Sequence, residues 1–104
     1  NGQSFAFKGY LPSEKDGRIQ ALKALEQHSR KHGETQIFIE TPYRNDALLA
    51  DAVGQLHPAT RLCVACDLTL PTQTIISKAV ADWRKLKEMP NLKKRPAIFV
   101  LYAA

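Results

Sequence analysis

At 104 residues and 44% hydrophobic content, the chain suits one domain with a single modest core. No apolar run approaches the roughly 20 residues of a membrane helix and the start does not resemble a signal peptide, so a soluble, cytoplasmic protein is expected. A formal net charge of +5 favours anionic partners without identifying one.

Ser4 to Leu11 alternates loosely, with aromatics at Phe5 and Phe7, and reads as a first strand ending at Pro12. Ser13 followed by Asp16 resembles a capping box, which predicts a helix ending at Gly33. Its buried stripe is Ile19, Leu22 and Leu25 with Ala21 and Ala24, while Lys15, Arg18, Lys23 and Glu26 take the wet side. Arg30, Lys31 and His32 complement the helix dipole.

Gln36 to Ile39 is too short and too β-favouring for a helix, so a buried strand is expected to end at Glu40. Thr41 precedes a proline and is placed as the N-cap of a second helix running from Pro42 to about His57. Leu48, Leu49, Ala52, Val53 and Leu56 form its apolar face. This strand-to-helix corner puts Glu40, Thr41 and Arg44 at the carboxyl end of a strand, where open α/β sheets place ligands. Glu40 and Arg44 either pair across the corner or face a ligand.

Arg61 to Asp67 is a third strand, apolar enough to lie in a sheet covered on both sides, and Leu68 to Pro71 is a second strand-end loop. Gln73 to Lys78 follows too closely for a helical crossover and is expected antiparallel to its neighbour. Val80 to Lys87 forms a short helix with Trp83 and Leu86 inward, stopped by Pro90, and Pro96 to Tyr102 is the fifth strand. The order β-α-β-α-β-β-α-β predicts an α/β fold with a mixed five-stranded sheet and flanking helices.

Recognised catalytic motifs are missing: there is no dinucleotide glycine fingerprint, P-loop or nucleophile elbow. Cys63 and Cys66 are three apart on a strand and point to opposite faces, which argues against a shared metal or disulfide. His28 and His32 share a helix face without a nearby acidic third ligand, so no metal site is expected. Glu40 and Asp67 are the two carboxylates at strand ends; they border one cleft if their strands are parallel and adjacent, or Asp67 simply caps its loop. Arg84, Lys85, Lys87, Lys93, Lys94 and Arg95 form a basic cluster that suits either solvent or RNA phosphates.

Three segments together resemble the C-terminal domain of the tetrapyrrole methylase family, nearest to the branch that methylates ribose 2′-hydroxyls of small-subunit ribosomal RNA. Gly9-Tyr10-Leu11-Pro12 is similar to that branch's Gly-aromatic-Leu-Pro entry. Ile39-Glu40-Thr41-Pro42-Tyr43-Arg44 is similar to its Glu-Ser-Pro-His-Arg corner, and Asp67-Leu68-Thr69 to its Glu-Leu-Thr loop. Ser13, Tyr43 and Leu70 depart from the branch, which usually has a basic residue, His and Lys at these places.

The resemblance implies that residues 1–104 are the C-terminal half of a two-domain enzyme using S-adenosylmethionine, inactive without its N-terminal cofactor-binding domain. The start at Asn1 without a methionine and the finish inside an apolar run fit a piece of a longer protein. By resemblance, Thr41, Pro42, Leu68 and Thr69 line the cofactor's side of the cleft. Glu40 and Arg44 fix the corner or meet the acceptor, and Lys93, Lys94 and Arg95 contact RNA phosphates. The alternatives are a corrin or porphyrin methyltransferase domain, a non-catalytic RNA-binding module, or a dimerisation module that pairs its C-terminal strand across a homodimer.

Overall fold

A computed structural model describes residues 4–92 and 94–103. The elements are β1 (Ser4–Tyr10), α1 (Lys15–His32), β2 (Glu34–Ile39), α2 (Asn45–Gln55), β3 (Arg61–Cys66), β4 (Thr74–Ala79), α3 (Val80–Arg84) and β5 (Ala97–Tyr102). The element order and the five-stranded mixed sheet agree with the sequence reading. The strands lie in the order β1-β2-β5-β3-β4.

The last strand occupies the middle. β5 is antiparallel to both β2 and β3, and β4 is antiparallel to β3 as expected. With β1 parallel to β2, the strands β1, β2 and β3 all run the same way and end at one rim, where β5 begins. Because both backbone edges of β5 are already paired, it cannot add to the sheet of a second copy, and the expected route to a dimer is closed.

The helices and the sheet share one core. Phe38, Leu62, Val64, Phe99 and Leu101 face it from the strands, with Leu22, Leu48, Leu49, Ala52 and Trp83 from the helices. Phe38 and Phe99 are cross-strand partners whose rings stack at 5.6 Å. The indole N–H of Trp83 donates to the Leu62 carbonyl at 2.9 Å, which satisfies its polar atom inside the core.

Among the described residues, helices cover one face of the sheet and leave the other open. The alternate residues Ile37, Cys63, Ala65, Ile98 and Val100 are half-buried, and Phe5, Phe7, Ile75 and Tyr102 on the same side are exposed. The expectation that β3 is covered on both sides is therefore corrected. Continuous apolar runs arise here because the second face is apolar as well, not because helices sit on it.

Several local expectations also shift. α1 starts at Lys15 with Glu14 as N-cap and no side-chain cap, so Ser13 and Asp16 do not form a capping box; the Ser13 carbonyl instead accepts from Arg18 Nη1. Arg18 and Glu26 are buried, not wet. Arg18 Nε pairs with Asp51 of α2 at 2.7 Å, and Glu26 Oε2 accepts the His57 N–H and the Thr60 hydroxyl. Together with Leu22, Leu25 and Ser29 they occupy one helical stripe, whose polar members hold neighbouring segments by directed bonds. Ser29 Oγ accepts the Ala103 N–H and ties the residue after β5 to α1.

α3 is shorter than expected and ends at Arg84, whose guanidinium turns back to the Val53 and Leu56 carbonyls at the end of α2. Gly33 ends α1 at φ 65°, as its left-handed preference predicts. Gly9 takes φ 69° where the register of β1 against β2 shifts past Lys8.

A candidate cofactor rim at the carboxyl ends of the strands

The common rim holds the ends of β1, β2 and β3 and the start of β5. A cavity of about 390 Å³ opens there, within the usual size range of small-molecule sites. Its walls are mainly apolar: Tyr10 from β1, Ile39 and Pro42 from the β2 end, Leu68 and Leu70 from the β3 end, and Ile98 from β5. Glu40 and Asp67 supply its two carboxylates. Their strands are parallel but not adjacent, since β5 lies between them.

The first turn departs from its expected form. Thr41 does not cap α2. Residues 42–44 form a turn in which the Arg44 N–H donates to the Thr41 carbonyl at 2.9 Å, and the helix begins only at Asn45. The Thr41 N–H donates to Glu40 Oε1 at 2.7 Å, and Arg44 Nε lies 3.3 Å from the same oxygen. The Glu40 side chain is 1% exposed and that of Arg44 44% exposed, so the arginine reaches inward from solvent. The pairing across the corner is thus present. It leaves Glu40 Oε2 and Thr41 Oγ1 buried without a partner among the described residues.

The second turn is tied by a series of bonds. The Asp67 N–H donates to the Pro96 carbonyl, the Leu70 N–H to the Asp67 carbonyl, and the Thr69 N–H to Gln73 Oε1 at 2.8 Å. Asp67 Oδ2 accepts the Thr72 hydroxyl at 2.9 Å and Arg95 Nε at 2.7 Å. Asp67 and Thr69 both adopt positive φ, 54° and 68°, which is costly for a β-branched residue. The Arg95 bond is the main reason the Asp67 carboxyl is held below its usual range, with help from Thr72 and against the cost of burial.

Arg95 ties the two turns together. Beyond Asp67, its guanidinium donates to the Asn91 and Thr72 carbonyls and to Thr74 Oγ1. Its backbone carbonyl accepts Asn45 Nδ2 at 2.7 Å, which reaches across from the start of α2. Lys94 stands beside the corner, its N–H on the Pro42 carbonyl and its φ at 60°.

Of the residues singled out from sequence, Glu40, Pro42 and Leu68 line the cavity, while Thr41 and Thr69 belong to its turns without lining it. Arg44 pairs behind the wall, and Lys94 is exposed. Lys93 lies outside the described residues. Within the basic cluster, Arg84 caps α2, Lys85 lies 3.9 Å from Asp82, and Arg95 is engaged at the rim. The sequence reading missed Tyr10, Leu70 and Ile98 as wall residues and Asn45 as the link between corner and basic loop. A polar residue in the first turn of an apolar helix was the only signal for Asn45.

The cysteines face opposite sides, Cys66 in the core and Cys63 on the uncovered face. His28 pairs with Glu34 at 2.9 Å. Among the described residues no group of three or more His, Cys, Asp or Glu side chains is placed to hold a metal ion, and no helix is long and apolar enough to cross a membrane.

No family model matches the chain. Ribosomal RNA small subunit methyltransferase I of Escherichia coli O157:H7 is 32% identical over 100 residues, covering 93% of this chain and 33% of that protein. Its counterpart in Pasteurella multocida (strain Pm70) is 31% identical over 98 residues, covering 93% and 34%. This chain is a tetrapyrrole methylase-fold domain related to those proteins. It spans about one third of the length of these curated relatives.

Solved structures show the same fold. The methyltransferase CobJ matches with a TM-score of 0.51 at 14% identity, over 97% of this chain and 46% of that one. The uroporphyrin-III C-methyl transferase from Thermus thermophilus, complexed with S-adenyl homocysteine, matches with a TM-score of 0.50 at 13% identity, over 98% and 43%.

Proposed function

We propose that this tetrapyrrole methylase-fold domain is the C-terminal domain of an S-adenosylmethionine-dependent methyltransferase acting on ribose of small-subunit ribosomal RNA. The observation that carries the reading is the cavity between two turns at one rim, in a chain whose curated relatives are ribosomal RNA methyltransferases. A second half, supplied by the N-terminal domain, would close it.

The residues present fit an adenosyl ligand, which has a broad apolar body and few hydrogen-bonding groups. Pro42, Ile39, Leu68 and Leu70 offer apolar surface, and Glu40 Oε2 is an unused buried acceptor for an N–H or O–H donor. When bound, S-adenosylmethionine supplies an electrophilic methyl group on a sulfonium. The contribution of this chain is placement: an in-line displacement needs an aligned acceptor and a dry site more than a strong acid. Arg95 holds the turns at a fixed separation, Leu68 and Leu70 keep water from the wall, and Glu40 orients the ligand.

Corrin or porphyrin methylation is the second reading. The two solved structures favour it only at the level of fold, at 13–14% identity, whereas the ribosomal RNA methyltransferases share about a third of their aligned residues. RNA contact then falls to exposed side chains such as Lys94.

Calorimetry with S-adenosylmethionine, on this chain and on the longer protein in which the proposal places it, tests the reading. Binding should be measurable for the longer protein and at least about tenfold weaker for the 104-residue chain. Equal, tight binding by the chain alone would overturn the shared cleft. Transfer of labelled methyl to a tetrapyrrole but not to small-subunit ribosomal RNA would replace the first reading with the second.

A further inference from the structure

The rim opposite the cavity is where unpaired positive charge collects. β1, β2 and β3 begin there, β4 and β5 end there, and α1 and α2 finish there before leading into β2 and β3. The nearby carboxylates are engaged: Glu26 accepts the His57 N–H and the Thr60 hydroxyl, and Glu34 pairs with His28 and accepts Gln36 Nε2. Asp82, the next one along, lies 3.9 Å from Lys85. Arg30, Lys31, Arg61 and Lys78 at the same end have no hydrogen bond or ion pair among the described residues.

The outward face of α1 leads into this rim. Gln20, Lys23, Gln27, Arg30 and Lys31 recur at helical spacing along one side, and all are exposed. At 1.5 Å per residue the stripe is about 17 Å long. It carries neither a carboxylate nor an aromatic side chain.

At its end, Arg30, His57, Ala59 and Thr60 line a cavity of about 90 Å³. That is the volume of about three waters at ~30 Å³ each, which leaves room for one phosphate group. His57 Nδ1 accepts the Ala59 N–H at 3.0 Å, so the ring proton sits on Nε2 and makes that nitrogen a donor. The negative end of the α1 dipole, about half a charge, opposes an anion here. Arg30 and Lys31 each carry a full charge, and Arg61 and Lys78 add theirs from neighbouring strands, so the positive potential prevails.

The composition of the stripe selects among polyanions and protein partners. A protein interface needs an apolar anchor, and among the described residues no exposed large hydrophobic side chain lies on α1. A single nucleic-acid strand needs aromatic platforms for its bases. Duplex RNA needs neither, because it is recognised through phosphates and 2′-hydroxyls along its wide minor groove. Lysine and arginine suit the phosphates, while Gln20 and Gln27, each both donor and acceptor, suit the hydroxyls.

We infer that the outward face of α1 and the Arg30 and His57 pocket at its end bind the backbone of double-helical RNA. The choice of RNA rests on the reading of the chain as part of a ribosomal RNA methyltransferase. The surface itself is separate from the proposed cleft, since a strand length of about 20 Å lies between the two rims. An RNA helix held here anchors the substrate while a nucleotide elsewhere on it reaches the cleft.

Fluorescence anisotropy on the wild-type chain, without S-adenosylmethionine, uses a labelled RNA duplex of about 16 base pairs, the span of a typical double-strand-binding domain. The logarithm of affinity should fall with that of salt at a slope of about −3, as for three or four phosphate contacts. Arg30→Gln with Lys31→Gln should weaken binding at least about tenfold and flatten the slope by about 2, with circular dichroism unchanged because glutamine is also a good helix former. Lys85→Gln with Lys87→Gln removes the same charge from the segment beyond α2 and should change affinity less than about twofold. At about pH 8, where the imidazole is neutral, His57→Ala should cost about threefold without altering the slope, since a neutral donor releases no counterion.

Absent duplex binding, or equal losses from the two double variants, overturns the inference. So does a single RNA strand or a DNA duplex bound as tightly as the RNA duplex. Methyl transfer separates the two readings in the longer protein. No transfer to ribosomal RNA, with duplex binding still dependent on Arg30 and Lys31, sinks the methyltransferase reading alone; transfer with KM unchanged by Arg30→Gln and Lys31→Gln sinks the anchoring surface alone.

Discussion

The two turns at the rim leave parallel strands of one sheet yet are held in opposite ways. The Asp67 turn spends its polar groups on itself and on Arg95, whereas the Thr41 corner keeps two buried oxygens, Glu40 Oε2 and Thr41 Oγ1, without a partner among the described residues. An unpaired buried acceptor is destabilising, by about 1–3 kcal/mol for a typical group, so it persists where something else satisfies it or where the fold tolerates it for function. The difference marks the Asp67 turn as scaffold and, on the proposed reading, the Thr41 corner as the side that meets a ligand.

Arg95→Ala should break the comparison most severely. It removes the donors to Asp67, Thr72, Thr74 and Asn91 at once, leaving a buried carboxylate without its cation. In a thermal melt, it should give the largest drop in midpoint of the variants described here, and ligand binding should fall with it because both turns lose their spacing.

The same pairing sets an acid dependence. The folded Asp67 carboxyl lies below its ordinary value of about 3.9, chiefly through Arg95. Between the two values the unfolded chain binds more protons than the folded one. The stabilisation is therefore complete above about pH 5 and is lost as pH falls through the lower, folded value. Asp67→Asn should melt lower at neutral pH, and its difference from wild type should shrink in acid. A difference that stays constant down to pH 2 would show that the ion pair is not its source.

How much of this was legible in the sequence depends on the range of the interaction. The apolar face of α2 and the antiparallel β3–β4 pair were visible because spacing and loop length are local properties. The insertion of β5 between β2 and β3 was not, since no local signal says which strands a late segment will pair with. Thr41 looked like a cap because a proline follows it, but residues 42–44 close a turn on the Thr41 carbonyl and the helix begins only at Asn45. Arg18 and Glu26 looked solvent-exposed by residue type, although their positions fall on the same stripe as Leu22, Leu25 and Ser29. Arg95 was readable as a cation near a loop, but its four acceptors come from Asp67, Thr72, Thr74 and Asn91, mostly far from it in sequence.

On the unsatisfied side of the comparison, Glu40→Gln is the sharper variant. A glutamine retains an oxygen for the Thr41 N–H, and Arg44 is exposed enough to be solvated without its partner, so stability should stay within about 1 kcal/mol of wild type. Ligand affinity in the longer protein should fall about tenfold where the ligand donates to this carboxylate, since charge-assisted bonds are about twice as strong as neutral ones. Unchanged affinity would place the ligand away from Glu40.

Thr69→Gly should have the smallest effect on stability and the opposite sign. Thr69 sits at φ 68°, where a β-branched side chain costs on the order of 1–2 kcal/mol and glycine does not. The greater freedom of glycine in the unfolded chain offsets about 0.5–1 kcal/mol of that relief. A net gain below about 1 kcal/mol should then appear as a slightly higher melting point, with the backbone bond to Gln73 intact. If the strained turn also positions a ligand wall, affinity in the longer protein should fall even as the midpoint rises. That opposed pair of changes separates strain retained for binding from strain that merely accompanies the Asp67 network. A lower midpoint would instead show that the threonine side chain, and not its backbone, holds the turn.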